Sequence, residues 1–172
     1  MKRSNAGVTL IELMTVLTVI AITLTTGVPA FADMLGRLRV QTAMHRISAD
    51  LAMARSTAIA RRSQLVVCPR NADHRCRDDS DWTGGWMVFL DPDGNRQPED
   101  VADILGNRDA MPQGLTVTAT RRFLRYQQDG RSAHSNQTVR LCSGDTLAGL
   151  VIVNNLGRVR SERPGKPTTC PR

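Results

Sequence analysis

From Val8 to Ala32 the chain is predominantly apolar and carries a single charge, Glu12. About 20 residues cross a bilayer as a helix, so this run is long enough to span one. Lys2 and Arg3 precede it; such a positive flank keeps the N-terminus cytoplasmic and sends the following residues outward. An ordinary cleaved secretory signal fits less well. Its apolar region is shorter, and its small-residue cleavage site follows that region. Here the basic residues end at a glycine, Gly7, ahead of the run. A carboxylate within an apolar helix costs about 2.5–3.5 kcal/mol on insertion scales and normally has a partner. A cut after Gly7 would supply one, because the new α-amino group of Val8 on a neighbouring copy is a cation.

Beyond Pro29 the helical pattern continues to about Arg62. Val40, Met44, Ile47, Leu51, Ala54 and Ala58 recur at spacings of four and three, which places them on one apolar stripe. Gly27 and Pro29 mark a place where the helix is expected to loosen or bend. From Gln64 the period shortens. Leu65–Val67, Met87–Leu90, Leu115–Thr118, Thr138–Leu141 and Leu150–Val153 read as strands, with a weaker candidate at Phe123–Tyr126. Asp93-Gly94 and Asn154-Asn155 are hairpin-type turn signals. The expected fold class is therefore α+β: a long N-terminal helix whose stripe packs on an antiparallel β-sheet head. The expected segments are 1–7 (leader), 8–32 (membrane and assembly helix), 33–62 (amphipathic continuation) and 63–172 (β-rich head with a basic tail). Trp82 and Trp86 flank Gly84-Gly85 and are expected to anchor the core.

The four cysteines, Cys68, Cys76, Cys142 and Cys170, form an even set beyond an outward-directing leader. Two disulfides are the economical reading. Three pairings are possible; the favoured one joins Cys68 to Cys76 locally and staples the tail through Cys142–Cys170. Zinc is the competing idea, but there is no CxxC, and His45, His74 and His134 lack ligand spacing. Asp91-Pro92-Asp93-Gly94-Asn95 departs from an EF-hand loop in the place of its glycine, and Ala102 stands where the last glutamate belongs. No hydrolase, metalloprotease, nucleotide-loop or dinucleotide motif occurs. A non-enzymatic role with no cofactor and no metal is expected.

The formal net charge is +7, so an anionic partner is a reasonable first guess. Residues 73–109 lean acidic, whereas from Arg121 onward basic residues dominate. Gly157-Arg158-Val159-Arg160 follows an expected hairpin, and in an extended segment Arg158 and Arg160 share a face. Two guanidinium forks on one face suit a phosphate backbone. Arg163 and Lys166 follow, with Pro164 and Pro167 opposing regular structure. The alternative is a solubilising edge strand with a ragged tail. Composition alone leaves the two even.

The segment Gly7-Val8-Thr9-Leu10-Ile11-Glu12-Leu13 resembles the class III leader and N-terminal helix of type IV pilins and pseudopilins. The resemblance implies that a prepilin peptidase cuts after Gly7 and methylates Val8. It also implies that Glu12, fifth after the cut, serves filament assembly. Val8 departs from the phenylalanine usual at that place, a substitution that minor subunits tolerate. Leader, helix, the strand containing Trp86 and the late Gly157-Arg158-Val159-Arg160 together look like the FimT/GspH group of minor pilins and pseudopilins. In the FimT branch a GRxR motif near the C-terminus is associated with DNA binding during natural transformation; Arg158 and Arg160 match it, with Gly157 supplying backbone room. The resemblance thus implies an inner-membrane, single-pass protein with a periplasmic head. Its partners would be other pilins, the prepilin peptidase and DNA bound without sequence preference. The alternative is a GspH-like pseudopilin of type II secretion, or a pilus-assembly subunit without a ligand.

Overall fold

The computed structural model describes residues 7, 9–132 and 134–171; Val8, Lys2, Arg3 and Arg172 lie outside the described residues. The chain divides into two compact units, Met1–Leu38 and Arg39–Arg172. One helix, α1 (Leu10–Arg61), contributes to both. In the first unit its apolar side chains, Ile11, Leu17, Ile20 and Phe31 among them, are exposed. Among the described residues α1 is the one helix long and apolar enough to cross a membrane. Its threonines hide their polarity within the helix. Thr18, Thr23 and Thr26 donate to the carbonyl oxygens of Met14, Val19 and Ile22 at 2.6, 2.8 and 2.9 Å. Such back-bonding satisfies hydroxyls where no water is at hand. The helix runs on through Gly27 and Pro29, where the sequence leads one to expect loosening.

In the second unit the helix is rich in alanine, arginine and methionine, all good helix formers. It ends in a Schellman arrangement: Ser63 N–H donates to the Ala58 carbonyl at 3.2 Å and Arg62 N–H to that of Ile59 at 3.3 Å. Arg62 takes the left-handed position (φ 50°) that glycine usually holds.

Among the described residues eight strands follow: β1 (Leu65–Pro69), β2 (Trp86–Leu90), β3 (Ile104–Asn107), β4 (Leu115–Ala119), β5 (Leu124–Tyr126), β6 (Gln137–Ser143), β7 (Thr146–Val153) and β8 (Val159–Glu162). They form two antiparallel four-stranded sheets rather than the one expected, in the orders β3-β2-β1-β5 and β4-β6-β7-β8. β3 and β8 carry too little apolar pattern to stand out in the sequence. Asp93-Gly94 does not close a tight hairpin either; it lies in the long connection between β2 and β3.

The stripe Val40, Met44, Ile47, Leu51, Ala54 and Ala58 is buried against the inner faces of both sheets, with Val67 and Val88 from one and Val117, Val139, Leu141 and Val151 from the other. Full burial of a side chain such as Ile47 or Leu51 contributes about 1.5–3 kcal/mol. Trp82 and Trp86 are fully buried in this core, their ring centroids 6.2 Å apart. The far face of the first sheet is also covered: Val66, Cys68, Met87 and Phe89 form a second, smaller core with Ile104 and Phe123 against it. This explains why β1 is buried at every position instead of alternating.

One stripe position is acidic. Asp50 is buried at 4% exposure, and its carboxylate accepts from Trp86 Nε1 at 3.0 Å and from Arg108 Nε and Nη2 at 2.8 and 2.6 Å. The bond to Asp50 is the main cause that raises the Arg108 pKa. Three donors on one buried carboxylate make it a clamp between the helix and the first sheet. Asp50→Ala is expected to destabilise the protein by about 2–4 kcal/mol, since it leaves a buried indole N–H and a guanidinium without their acceptor. Asp50→Asn, which still accepts, should lose less; chemical unfolding followed by tryptophan fluorescence checks both.

Candidate nucleic-acid interface

The basic C-terminal segment is built on a hairpin and an edge strand. β7 turns at Asn154, whose N–H donates to the Arg158 carbonyl at 3.2 Å and whose side-chain oxygen accepts from Arg158 N–H at 2.9 Å. β8 then pairs with β7 in the register Ile152–Arg160 and Val153–Val159. Alternation sends Val159 and Ser161 toward the helix, where Ser161 Oγ lies 2.7 Å from Ser48 Oγ. Arg160 and Glu162 share the other face, and Arg160 Nε pairs with the Glu162 carboxylate at 3.2 Å.

The candidate cations are not equivalent. Arg158 is exposed and makes no ion pair among the described residues; it rims a groove of about 440 Å³ with Ala52, Arg55 and Ile59. Arg160 is exposed yet partly neutralised by Glu162. Arg163 is exposed and donates to the Gln41 side chain at 3.3 Å, and Lys166 is exposed. The tail carrying them is pinned rather than ragged. Leu147 N–H donates to the Thr168 carbonyl and Cys170 N–H to that of Asp145, both at 2.8 Å. A Cys142–Cys170 disulfide closes the same connection, with Cα atoms 6.0 Å apart. The second disulfide, Cys68–Cys76, lies in the smaller core of the first sheet.

Gly157 has a structural reason of its own. It holds a left-handed φ of 75°, and an added Cβ would stand 2.0 Å from the Gly130 carbonyl oxygen. That carbonyl also accepts from Arg55 Nε at 3.0 Å. Two turns therefore cross on an arginine of the helix, and only a glycine permits the crossing. Tyr126 packs at the same place; its hydroxyl is buried without a partner among the described residues. Burial pushes its pKa up, with the Arg55 charge opposing the shift, so it stays neutral.

At the other end of the chain, Gly7 is exposed and Val8 lies outside the described residues. Glu12 is exposed in the first turn of α1, and its N–H donates to Thr9 Oγ1 at 3.3 Å. Thr9-x-x-Glu12 has capping-box spacing, a helix-start signal present in the sequence itself. In the chain considered alone, then, Glu12 begins the helix and favours its positive end. In the Asp91 loop both carboxylate oxygens are taken, one by Arg96 N–H at 2.9 Å and the other by Arg125 Nη2 at 2.9 Å. That pairing gives this aspartate a structural task.

The model of the family described as Type II transport protein GspH matches residues 43–157, and that of the prokaryotic N-terminal methylation motif matches residues 2–28. No curated protein matches the sequence. The fold is similar to the type IV minor pilin FimU of Pseudomonas aeruginosa, with a TM-score of 0.59 and 19% identity over 77% of this chain and 95% of that one. A second crystal form of FimU gives 0.56 at 19% identity, over 74% and 96%. The minor pseudopilin EpsH from the Type 2 Secretion System of Vibrio cholerae gives 0.51 at 14% identity, over 73% and 98%. At such identities the likeness is one of fold.

Replacing Gly157 by alanine is expected to destabilise the protein by about 2–4 kcal/mol, through strain at positive φ and the clash with Gly130. Arg158→Ala, at an exposed position, should stay within about 0.5 kcal/mol of the parent. Denaturant titration of the full chain in detergent separates the two.

Proposed function

The chain belongs to the GspH family, as a minor pilin or pseudopilin of the GspH/FimT type, and from that premise we propose that it is a FimT-like minor pilin that binds DNA during uptake. The reading divides the chain into a leader (1–7), a membrane and assembly helix (8–32), its amphipathic continuation (33–62) and a periplasmic head (63–172). Prepilin peptidase cuts between Gly7 and Val8. The apolar helix holds the subunit in the inner membrane and then in the filament, where Glu12 meets the α-amino group of a neighbour. No catalytic step belongs to this role.

The observation that supports DNA contact most is an exposed row: Arg158 just before β8, Arg160 within it, and Arg163 and Lys166 along the pinned tail. Phosphate neutralisation would supply the affinity and base edges little of the specificity, because this row has no aromatic and no helix to enter a groove. Within the row Arg158 carries the most weight, since Arg160 is shared with Glu162. The description of the matching family as a type II transport protein favours a second reading, a pseudopilin of a secretion machine with no nucleic-acid ligand. Loss of secretion with transformation intact, on deleting the gene, would support that one.

If about four phosphates are engaged, affinity should fall with salt at a log–log slope of roughly −3 to −4. Arg158→Gln with Arg160→Gln, in the full chain in detergent, should weaken binding to all sequences alike and flatten the slope by about 2. A gel-shift titration at several salt concentrations measures both, and unchanged binding overturns this site.

A further inference from the structure

A second basic site lies on the β5 side of the first sheet, built from residues remote from Gly157-Arg158-Val159-Arg160. It is a cavity of about 480 Å³ whose wall includes Arg77, Arg96, Arg121, Arg122, Phe123 and His134. Two of the four arginines are already neutralised: Arg77 pairs with Asp79 at 2.5 Å, and Arg122 pairs with Asp78. The other two are not. Arg96 and Arg121 are exposed and make no ion pair among the described residues; Arg121 uses only its Nε, on the Asn136 carbonyl at 3.0 Å. Two guanidinium groups with open forks thus face one cavity.

The site is held in place from beneath. Fully buried Asp91 accepts from Arg125 Nη2 and from Arg96 N–H, both at 2.9 Å, and Arg125 Nη2 also donates to the Gly94 carbonyl at 2.9 Å. This ties the loop carrying Arg96 to β5. Arg96 is fixed at a left-handed φ of 67°, and His134 on the same wall at 63°. A non-glycine residue in that region is held against a cost by its surroundings. The result sets the Arg96 guanidinium 5.2 Å from the centre of the Phe123 ring.

We propose that this cavity binds one nucleotide of a single-stranded nucleic acid, with Arg96 and Arg121 on its phosphate and the Arg96–Phe123 pair against its base. Charge alone would accept an acidic peptide equally, because guanidinium forks fit carboxylates and phosphates alike. The arene and the guanidinium plane tip the balance, since unpaired bases stack on both. A base held in a duplex is not free to enter, so the site selects single strands. It also supplies the aromatic contact that the C-terminal row lacks.

The test uses the full chain in detergent and a fluorescent oligothymidylate of about 12 nucleotides, within the span of single-strand sites. Arg96→Gln with Arg121→Gln should weaken binding about tenfold or more and flatten the salt slope by about 1.4. Phe123→Leu should weaken it about fivefold or more and leave the slope as it was. A duplex of equal length should be indifferent to all three substitutions. If the arginine pair changes nothing while Arg158→Gln with Arg160→Gln abolishes binding, the cavity proposal falls and the C-terminal reading stands. The reverse result keeps the cavity and removes the C-terminal row. Displacement of the oligonucleotide by polyglutamate as readily as by unlabelled strand overturns the nucleotide assignment.

Discussion

The head depends on one helix face being wide enough to serve two sheets. Neither four-stranded sheet could bury its apolar side alone, and the stripe from Val40 to Ala58 would be exposed without them. Bringing all three together forms one core and fixes where every loop emerges. Asp50 makes the arrangement specific. A carboxylate in the middle of that stripe is tolerable only where Trp86 and Arg108 meet it, so the helix has one favourable setting against β2.

The same economy governs the basic surface. The head carries many arginines, and several of them spend their charge on internal tasks. Arg108 serves Asp50, Arg125 serves Asp91, Arg55 caps the Gly130 carbonyl, and Arg77 and Arg122 pair with neighbouring aspartates. Others stay exposed with no ion pair among the described residues: Arg39, Arg46, Arg61 and Arg62 on the helix, Arg75, Arg96 and Arg121 in the loops, and Arg158 and Arg163 on either side of β8. The left-over cations, rather than the net charge, are what an anionic polymer would meet.

Much of this was open to inspection in the sequence. The 3.6-residue period of the stripe and the short apolar runs of β1, β2, β4, β6 and β7 are strong local signals, and they define the fold class. β3 and β8 were not, because Ile104–Asn107 has only two large apolar residues and Val159–Glu162 only one. They become strands through pairing with β2 and β7, which is a tertiary effect. Division into two sheets is likewise a matter of partners, on which period is silent. The Gly157 segment was visible because its residues are contiguous. The Arg96–Phe123 cavity was not, since loops distant in the chain meet there only after folding. Asp50 stands three residues after Ile47 and so on the stripe, but nothing local to it shows the indole and guanidinium that meet it after folding.

In the proposed role, Glu12 is the residue on which assembly of the subunit turns. In the isolated chain it lies in the first turn beside Thr9 and helps to start the helix. In a bilayer or a filament core a carboxylate there calls for a cation, and the freed amine of an adjoining subunit is the one the processing would create. Glu12→Gln separates these duties, because glutamine keeps the side-chain length and the capping ability but has no charge. The decisive measurement is the amount of this subunit recovered in sheared filaments from cells carrying that substitution. The account predicts a processed protein that stays in the membrane and is depleted from filaments; recovery at the parental level would contradict it.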